Sequence, residues 1–382
     1  MVLERINVYK VSIPFLREFA HSRSKKASAN NIVVEIIAKQ GEVLGYGEGA
    51  PRLGVTGETQ ESAIDSIGHS IKRDSFPWKL NDVLQIWDFV DDLPEGKENN
   101  SAICALEMAL LDVLGKIEGR SIIQYFPQDF FANRVFYGAA VTLESKEKVL
   151  EMCNSIKAFG INHIRIKLGK DFEQNKDSLK TVRMVLGDDC ILRADLNNAW
   201  DIDSALDHLQ IFKKYNINYI EQPLAPDEPN IADFAKLAQT DGIILVADEL
   251  ACSLGDVKII SKEGFYEMVN IRLSKCGGFR RSLRIIDYLR KHGIHFQIGC
   301  HMGESGILSA AGRAMCLLCQ DALFYDGSYD SFLLKKNITL EHVSFNQGGE
   351  ASPLGGSGLG VEINKQNLTH LSNDVVVFEP FS

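Results

Sequence analysis

The second half of the sequence repeats a short apolar run at a nearly constant interval. The eight runs are Val135–Val141, His163–Leu168, Cys190–Leu196, Asn218–Gln222, Ile243–Asp248, Met268–Leu273, His295–Cys300 and Ala322–Asp326. From the second run onward, the residues near the run ends are 167, 195, 221, 248, 272, 300 and 326, which differ by 28, 26, 27, 24, 28 and 26. Segments with helical periodicity separate the runs. Equal units of one strand and one helix close most naturally into a barrel of parallel strands, so the pattern predicts an α/β fold of the (β/α)8 type.

An open, doubly wound α/β sheet is the alternative arrangement for such units. That fold commonly carries a glycine-rich phosphate-binding fingerprint after its first strand. Because no such fingerprint follows the run Val135–Val141, the sequence favours the barrel.

The first third of the chain has a different organisation, in which strand-like runs precede helical ones. The strands are predicted at Arg5–Phe15 and Asn31–Gly47, and the helices at Glu58–Arg73 and Ser101–Glu118. This order is typical of an α+β domain. We therefore predict an α+β domain over residues 1–130, a barrel over 131–340, and a segment 341–382 that packs back on the first domain.

Charge and apolar runs restrict the classes of partner. The chain has 41 Lys and Arg against 51 Asp and Glu, a formal net charge of −10, which argues against nucleic acid or an anionic membrane as partner. The sequence has neither a signal-peptide pattern at its start nor an apolar run of membrane-spanning length, so we expect a cytoplasmic protein. Cys316 and Cys319 form a lone CxxC in an apolar segment, where buried, reduced thiols are the expected state.

Three acidic residues end successive strands of the predicted barrel. They are Asp195, Glu221 and Asp248. Any one of them could cap the following helix. Together they would repel one another at the carboxyl end of the barrel, where catalytic residues of this architecture collect. A bound cation relieves such repulsion, and oxygen ligands suit Mg²⁺. The sequence therefore predicts a Mg²⁺ site on these three carboxylates.

Basic residues flank the three carboxylates on the neighbouring strands. Arg165 and Lys167 precede them and share one face of their strand because side chains alternate, while Arg272 and Lys275 follow them. Salt bridges that balance the carboxylates are one interpretation. The other is catalytic, because a lysine beside a metal ion and a second cation is suited to act as a general base.

The ordered motifs RxK, DxN, EQP, DE and NIRLSKCGG resemble the enolase superfamily, in particular its muconate-lactonizing-enzyme subgroup. Residues 45–51 and 55–58 also look like capping-domain segments of dipeptide epimerases. The resemblance covers nearly the whole chain and implies an α+β capping domain over a (β/α)7β TIM-like barrel. It further implies Mg²⁺ on the three carboxylates and Lys167 as an acid/base. Glu304 resembles the glutamate that orients a catalytic lysine in this family.

Such a site implies one kind of chemistry. The substrate is a small carboxylic acid whose carboxylate binds Mg²⁺, Lys167 removes the adjacent α-proton, and the metal stabilises the resulting enediolate. The expected enzyme is an isomerase or a lyase, similar to muconate cycloisomerase or o-succinylbenzoate synthase. A metal-binding barrel without turnover is the non-catalytic alternative.

The motifs depart from the family at the two arginines. Arg272 stands where the subgroup has its sixth-strand lysine, and Arg165 stands at the first lysine of KxK. A neutral guanidine at pH 7 costs on the order of 7 kcal/mol, so Arg272 is expected to be a fixed cation that contacts the enediolate or a substrate carboxylate. We therefore hypothesise a reaction that needs one base. Lys275, or His301 after the seventh strand, would be needed for a two-base scheme.

Two further features concern the substrate. Dipeptide epimerases of the L-Ala-D/L-Glu type carry a D-x-D that binds the substrate ammonium, and here only Asp326 is retained, which weakens that alternative. Specificity is expected from two capping loops, Arg17–Asn30 and Gly49–Gly57. The basic side chains of the first loop are either a solvated charged surface, the commoner case for such loops, or a contact for a second anionic group; they are His21, Arg23, Lys25 and Lys26. Assembly into a homo-oligomer stays open.

Overall fold

The chain begins with a sheet and a group of helices. In the computed structural model, which describes residues 1–21, 24–225 and 227–380, the first elements are strands β1 (Leu3–His21), β2 (Ser24–Ala38) and β3 (Val43–Gly49). Helices α1 (Gln60–Ser70), α2 (Val83–Asp92) and α3 (Asn100–Glu118) follow. The three strands pair in sequence as an antiparallel sheet. Helix α2 was not predicted from the sequence.

The prediction of a loop at Arg17–Asn30 is wrong, because the described residues of this segment belong to two paired strands. Strands β1 and β2 continue through it as an antiparallel pair up to residues 21 and 24, with a register irregularity between Pro14 and Phe19. A two-stranded ribbon satisfies its backbone hydrogen bonds internally whatever the polarity of its side chains, so polar composition did not distinguish it from a loop. The anion-binding role predicted for His21, Arg23, Lys25 and Lys26 concerns side chains outside the described ones.

Alternate glycines in β3 allow helix α3 to lie directly on the sheet. An added Cβ at Gly45, Gly47 or Gly49 would come within 2.0–2.5 Å of a backbone oxygen of α3. Residues two apart share one face of a strand, so only glycine at all three positions permits this contact. Glu48, between two of them, points to the opposite face of the sheet.

The central part of the chain alternates strands and helices. Its elements are β4 (Val135–Phe136), β5 (Ala139–Val141), α4 (Lys146–Phe159), β6 (His163–Lys167), α5 (Phe172–Leu186), β7 (Ile191–Asp195), α6 (Ile202–Lys214), β8 (Ile217–Glu221), α7 (Ile231–Thr240), β9 (Ile244–Ala247), α8 (Leu254–Glu263), β10 (Met268–Ile271), α9 (Leu273–Cys276), α10 (Gly278–His292), β11 (His295–Ile298), α11 (Gly306–Leu318) and α12 (Asp330–Leu333). Short 3₁₀ turns lie at Ile122–Tyr125 and Gln347–Gly349.

Strands β5 to β11 form one parallel sheet in strictly sequential order. The two edges of this sheet meet at residues 324–326, because Tyr325 bridges Ile298 of β11 and its carbonyl accepts a hydrogen bond from the N–H of Gly138 at 2.8 Å. A doubly wound sheet would reverse its strand order at a switch point. The prediction of a barrel-type α/β fold is confirmed.

Two predicted barrel strands differ from the structure. The run Val135–Val141 is interrupted at Gly138, so that β4 pairs with a separate strand, β12 (Glu350–Ala351), and only β5 joins the barrel. The eighth run, Ala322–Asp326, forms a single β-bridge rather than a strand. Both strands were predicted from their local apolar sequence. How many of their residues pair with another strand, however, depends on segments far along the chain.

The C-terminal part returns to the N-terminal sheet. Helix α13 (Lys365–Leu371), which was not predicted, leads into β13 (Ser372–Phe378), and β13 pairs antiparallel with β1. Lys365 also contacts the buried carboxylate of Glu35 in β2. The division into domains at residues 130 and 340 stays a prediction.

Buried carboxylates of the N-terminal part cap helices of the barrel. Glu48 accepts hydrogen bonds from the backbone N–H groups of Ser305 (3.0 Å) and Leu308 (2.9 Å) at the start of α11, and from the Ser305 hydroxyl at 2.6 Å. Glu107 of α3 accepts one from the N–H of Arg280 at the start of α10. Negative charge is favourable at a helix N-terminus, so these carboxylates join the two parts of the molecule. None of the described helices has the length and apolarity needed to cross a membrane.

We expect Glu48→Ala to lower the free energy of unfolding by about 2–4 kcal/mol, because it leaves buried N–H groups of α11 without acceptors. Urea denaturation followed by circular dichroism measures the change. Glu42→Ala, at an exposed position in the turn before β3, is the matched control and should change the value by less than about 0.5 kcal/mol. Equal stability of the two variants would contradict the capping role.

Candidate active site

Neighbouring strands bring Lys167, Asp195 and Glu221 side by side at the carboxyl end of the barrel. The register pairs Lys167 with Asp195 across β6 and β7, and Asp195 with Glu221 across β7 and β8. Asp248 directly follows β9. All three acidic side chains are buried, as expected for residues that end inner strands of a barrel.

Asp195 is the least satisfied of the three carboxylates. Neither of its oxygens has a hydrogen-bond partner among the described residues. The nearest cations are the Lys167 Nζ, 3.5 Å from Oδ2, and the Arg165 Nη1, 3.7 Å from the same atom. A buried carboxylate without hydrogen bonds is costly unless a charged partner compensates it, so Asp195 has capacity for a further positive ligand.

Glu221 lies at the centre of the acidic group. Its Oε1 accepts a hydrogen bond from the side chain of Asn270 at 2.8 Å, and its Oε2 accepts one from Gln297 at 3.2 Å. Burial, together with the charges of Asp195 and Asp248, raises the pKa of Glu221 to about 8. The charges of Asp195 and Asp248 therefore disfavour the ionised form of Glu221.

Asp248 and Arg272 form a buried ion pair. The Arg272 Nη2 contacts Asp248 Oδ2 and lies 3.4 Å from Glu221 Oε1. Burial opposes charge on Asp248, but Arg272 and Lys275 lower its pKa. Burial likewise opposes charge on Arg272, while Asp248 and Glu221 hold its pKa above the ordinary value. Arg272 is a fixed cation that spans two of the three carboxylates.

Lys167 is the accessible amine of the site. Its side chain is 21% exposed, and its Nζ donates a hydrogen bond to Asn197 Oδ1 at 2.8 Å. The Asn197 amide in turn donates to Glu249 Oε1 at 3.2 Å, and burial with the charge of Asp248 raises the pKa of Glu249 to about 7. Lys167 thus has a single side-chain hydrogen bond among the described residues, fewer than Lys275 has.

Lys275 lies in the short helix α9 and is completely buried. Its Nζ donates to the backbone oxygens of Asp248 and Asn270, both at 2.6 Å, and to Asp248 Oδ1 at 3.1 Å. These contacts occupy the three N–H bonds of an ammonium group. Burial alone would lower its pKa, but the charge of Asp248 raises it. The surroundings of Lys275 are those of a structural cation.

Glu304 and His301 lie in the turn after β11. Glu304 Oε1 accepts a hydrogen bond from the backbone N–H of His301 at 2.6 Å, and burial raises the pKa of Glu304 to about 8. Its contact within the described residues is thus with the backbone rather than with a lysine. Burial, followed by the charges of Arg272 and Arg52, lowers the pKa of His301 well below its usual value, which keeps the imidazole neutral.

Arg165 and Asp326 belong to a second charge cluster inside the barrel. The Arg193 Nη2 lies 2.8 Å from Asp326 Oδ1, and the Arg165 Nε lies 3.6 Å from Asp326 Oδ2. Arg193 also donates to Gln297 at 2.7 Å. Arg193 was not predicted as a site residue from the sequence, although strand alternation in β7 places it on the same face as Asp195.

The segment Gly49–Gly57 contacts the site from the N-terminal part. The backbone N–H of Ala50 donates to the Ser274 hydroxyl at 2.8 Å, one residue before Lys275. Arg52 donates to the backbone oxygen of Met302 at 3.1 Å and to Asn31 Oδ1 at 2.9 Å. Sequence reasoning did not single out Arg52, because nothing local marks a contact with a residue 250 positions away.

The donor set suits a hard divalent cation, although the side chains are not arranged around one. Three carboxylates supply oxygen ligands, and Asp195 has two oxygens without hydrogen bonds, which fits Mg²⁺. Among the residues that the structure describes, however, no three His, Cys, Asp or Glu side chains lie together closely enough to hold a metal. In this arrangement the Arg272 guanidinium contacts one carboxylate oxygen of Glu221 and one of Asp248.

Comparison with known proteins identifies the class of the molecule. Residues 148–367 match the family model described as enolase C-terminal domain-like. Since the match spans more than half of the chain, the protein belongs to this family. The resemblance to the enolase superfamily that the ordered motifs indicated is confirmed.

Similar proteins include enzymes of several activities. The chain is 26% identical over 317 residues to N-succinyl-L-Arg/Lys racemase of Bacillus cereus, covering 82% of this chain and 83% of the racemase. It is 27% identical over 383 residues to o-succinylbenzoate synthase of Bacillus subtilis, covering 98% of each. A crystal structure of a dipeptide epimerase from Cytophaga hutchinsonii, complexed with Mg and the dipeptide D-Ala-L-Val, superposes with a TM-score of 0.81 at 22% identity, covering 99% of this chain and 100% of that one.

These relatives bear on the predicted activity. A racemase and a synthase share the family of this chain, so the prediction of an enzyme of the isomerase or lyase type is confirmed. The roles of the individual site residues, the cytoplasmic location and the absence of a nucleic-acid partner stay predictions.

Proposed function

We propose that this enzyme abstracts the α-proton of a small carboxylic acid with Lys167 as its base. The observation that carries the proposal is the partly exposed Lys167 amine, 3.5 Å from the buried carboxylate of Asp195, at the rim of the acidic group. Its hydrogen bond to Asn197 directs the amine. A positioned general base of this kind contributes about 10²–10⁴-fold to a rate.

The proposed cofactor is Mg²⁺, held by Asp195, Glu221 and Asp248. A divalent ion there would polarise the substrate carboxylate and stabilise the negative charge that develops when the α-proton leaves. The unpartnered oxygens of Asp195 and the raised pKa of Glu221 support a site that accepts further positive charge.

The other cations are proposed to hold their charge during the reaction. Arg272 and Lys275 are paired with Asp248, and Arg165 is paired with Asp195 and Asp326. A paired, buried cation gives up its proton less readily than a solvated one. We therefore assign Arg272 and Arg165 to electrostatic stabilisation and Lys275 to holding Asp248. Glu304 and His301 would shape the wall of the site beside Arg272.

A single base predicts proton exchange on one face of the substrate. We expect that, in D₂O with Mg²⁺, the enzyme exchanges the α-proton of only one enantiomer of a substrate drawn from N-acyl amino acids, dipeptides or acid sugars. Proton NMR of each enantiomer, incubated separately, measures the loss of the α-proton signal. Exchange on both enantiomers would instead require a second base and would contradict the one-base scheme.

Two alternatives give different results in the same experiment. A dipeptide epimerase, the activity of several relatives, would exchange both epimers of a dipeptide; against it, Asp326 is engaged by Arg193 and Arg165 rather than available to a substrate ammonium. A barrel without turnover would show no exchange dependent on Lys167. Whether the outcome is isomerisation or elimination follows from the product that accompanies exchange.

A further inference from the structure

Arg272 contacts carboxylate oxygens of two of the three residues that would hold the proposed metal ion. Its Nη2 reaches both Asp248 Oδ2 and Glu221 Oε1. The guanidinium is thus a positive group, attached to the protein, that bridges two of the three proposed ligands. The contact raises the question of how a metal ion would replace the Arg272 guanidinium at these carboxylates. The inference rests on the proposed metal site.

Four protein cations lie close to the acidic group. Within 4.0 Å of the three carboxylates lie the charged groups of Arg165, Lys167, Arg272 and Lys275. A divalent ion that binds these carboxylates would therefore enter beside four protein cations. Cations that crowd one site in a low dielectric repel strongly, so binding of the ion is favoured only if a cation moves away or an anion enters.

Arg272 and Arg165 each contact two of the proposed ligand residues, but they differ in what else holds them. Lys275 is fixed by two backbone oxygens, and Arg165 by a carboxylate of the other cluster. By contrast, the ion pairs of Arg272 among the described residues are all with Glu221 and Asp248, two of the proposed ligands. Rotation about its side-chain torsions would cost the guanidinium its contacts with Asp248 and Glu221.

We propose that Arg272 competes with the divalent ion for Glu221 and Asp248, and that metal binding releases its guanidinium to the substrate carboxylate. The metal and a carboxylate ligand then bind cooperatively, because each favours the arrangement in which Arg272 has left the acidic group. A guanidinium released in this way can bind a carboxylate through two parallel hydrogen bonds. Arg272 is in this view a positioning residue for the metal and a contact for the substrate.

Metal affinity, measured without turnover, tests the competition. Mn²⁺ serves as the probe, and the signal of the free ion in electron paramagnetic resonance reports binding to the metal-stripped full-length protein. We expect Arg272→Gln to bind Mn²⁺ about tenfold more tightly than the unaltered protein, a change within the usual range of coupling between sites. Succinate, as a carboxylate probe, should tighten Mn²⁺ binding to the unaltered protein severalfold and leave Arg272→Gln unaffected.

Two further variants make the result specific. Arg272→Lys keeps a positive charge, but its single amine contacts one carboxylate at a time. We expect it to bind Mn²⁺ more tightly than the unaltered protein. It also serves as the test variant if Arg272→Gln does not fold. Arg284→Gln, on an exposed arginine paired with Asp91, changes the net charge equally and should leave the affinity unchanged.

The possible results separate a failure of the competition from a failure of the metal site. Unchanged or weaker Mn²⁺ binding in Arg272→Gln would overturn the competition while the metal site stands. Tighter binding in Arg272→Gln, with Arg272→Lys equal to the unaltered protein, would also overturn it, since charge at a distance rather than occupancy would then set the affinity. Absence of Mn²⁺ binding in all variants would overturn the proposed metal site together with the inference.

Discussion

Lys167→Met is expected to slow α-proton exchange by about 10²–10⁴-fold while leaving the protein folded. The Lys167 side chain is partly exposed, and Arg165 still faces Asp195 after the substitution, so the change in the free energy of unfolding should be about 1–2 kcal/mol. Exchange into D₂O, followed by proton NMR on the reactive enantiomer, measures the first effect. Urea denaturation measures the second.

Two matched variants separate a base from a charge. Lys167→Arg keeps the positive charge but cannot release its proton near neutrality, so we expect it to lose exchange to a similar extent. Lys170→Met removes an exposed lysine three residues along the chain and should retain the full rate. If Lys167→Arg exchanged protons at the normal rate, the side chain would act through its charge and the proposed base would be wrong.

Lys275→Met is expected to lower the free energy of unfolding by about 3–5 kcal/mol. The substitution removes the donor to two buried backbone oxygens and one of two cations beside Asp248. Breaking a buried ion pair on one side leaves an uncompensated charge, which is the physical reason for the size of the effect. Urea or thermal denaturation monitored by circular dichroism gives the measurement.

A matched surface variant and a measurement of proton exchange test the structural role assigned to Lys275. Lys258→Met, on the exposed face of α8, is the control for Lys275→Met and should be neutral within about 0.5 kcal/mol. A Lys275→Met protein of normal stability that had lost proton exchange would show that Lys275 takes part in the chemistry. The structural assignment would then be withdrawn.

Much of the barrel was predictable because its signals are local. Apolar runs such as His163–Leu168 and Met268–Leu273 coincide with β6 and β10 to within two residues, since burial on both faces requires continuous apolar sequence. Helix α13 was missed, and so was the extension of β1 and β2 beyond the strands predicted at Arg5–Phe15 and Asn31–Gly47. The first is short, and the second is polar while its backbone groups pair with each other.

The position of the three carboxylates on neighbouring strands was predictable, but their contacts were not. Asp195, Glu221 and Asp248 end successive strands, so parallel pairing alone requires them to be neighbours. Which cation meets which carboxylate depends on side-chain reach across the barrel. The pairing of Asp326 with Arg193 joins residues 133 positions apart, and no local pattern encodes it.

The sequence by itself determined the order of the strands, the end of the barrel at which the carboxylates collect, and the replacement of a family lysine by Arg272. Those features follow from periodicity, alternation and residue identity, which are properties of short segments. Only the tertiary structure decided that Arg272 bridges Glu221 and Asp248, that Lys275 is enclosed, and that the Lys167 side chain stays partly exposed. These outcomes depend on burial and on charges brought together from distant segments, because electrostatic energy is set by distance and solvation in the folded state.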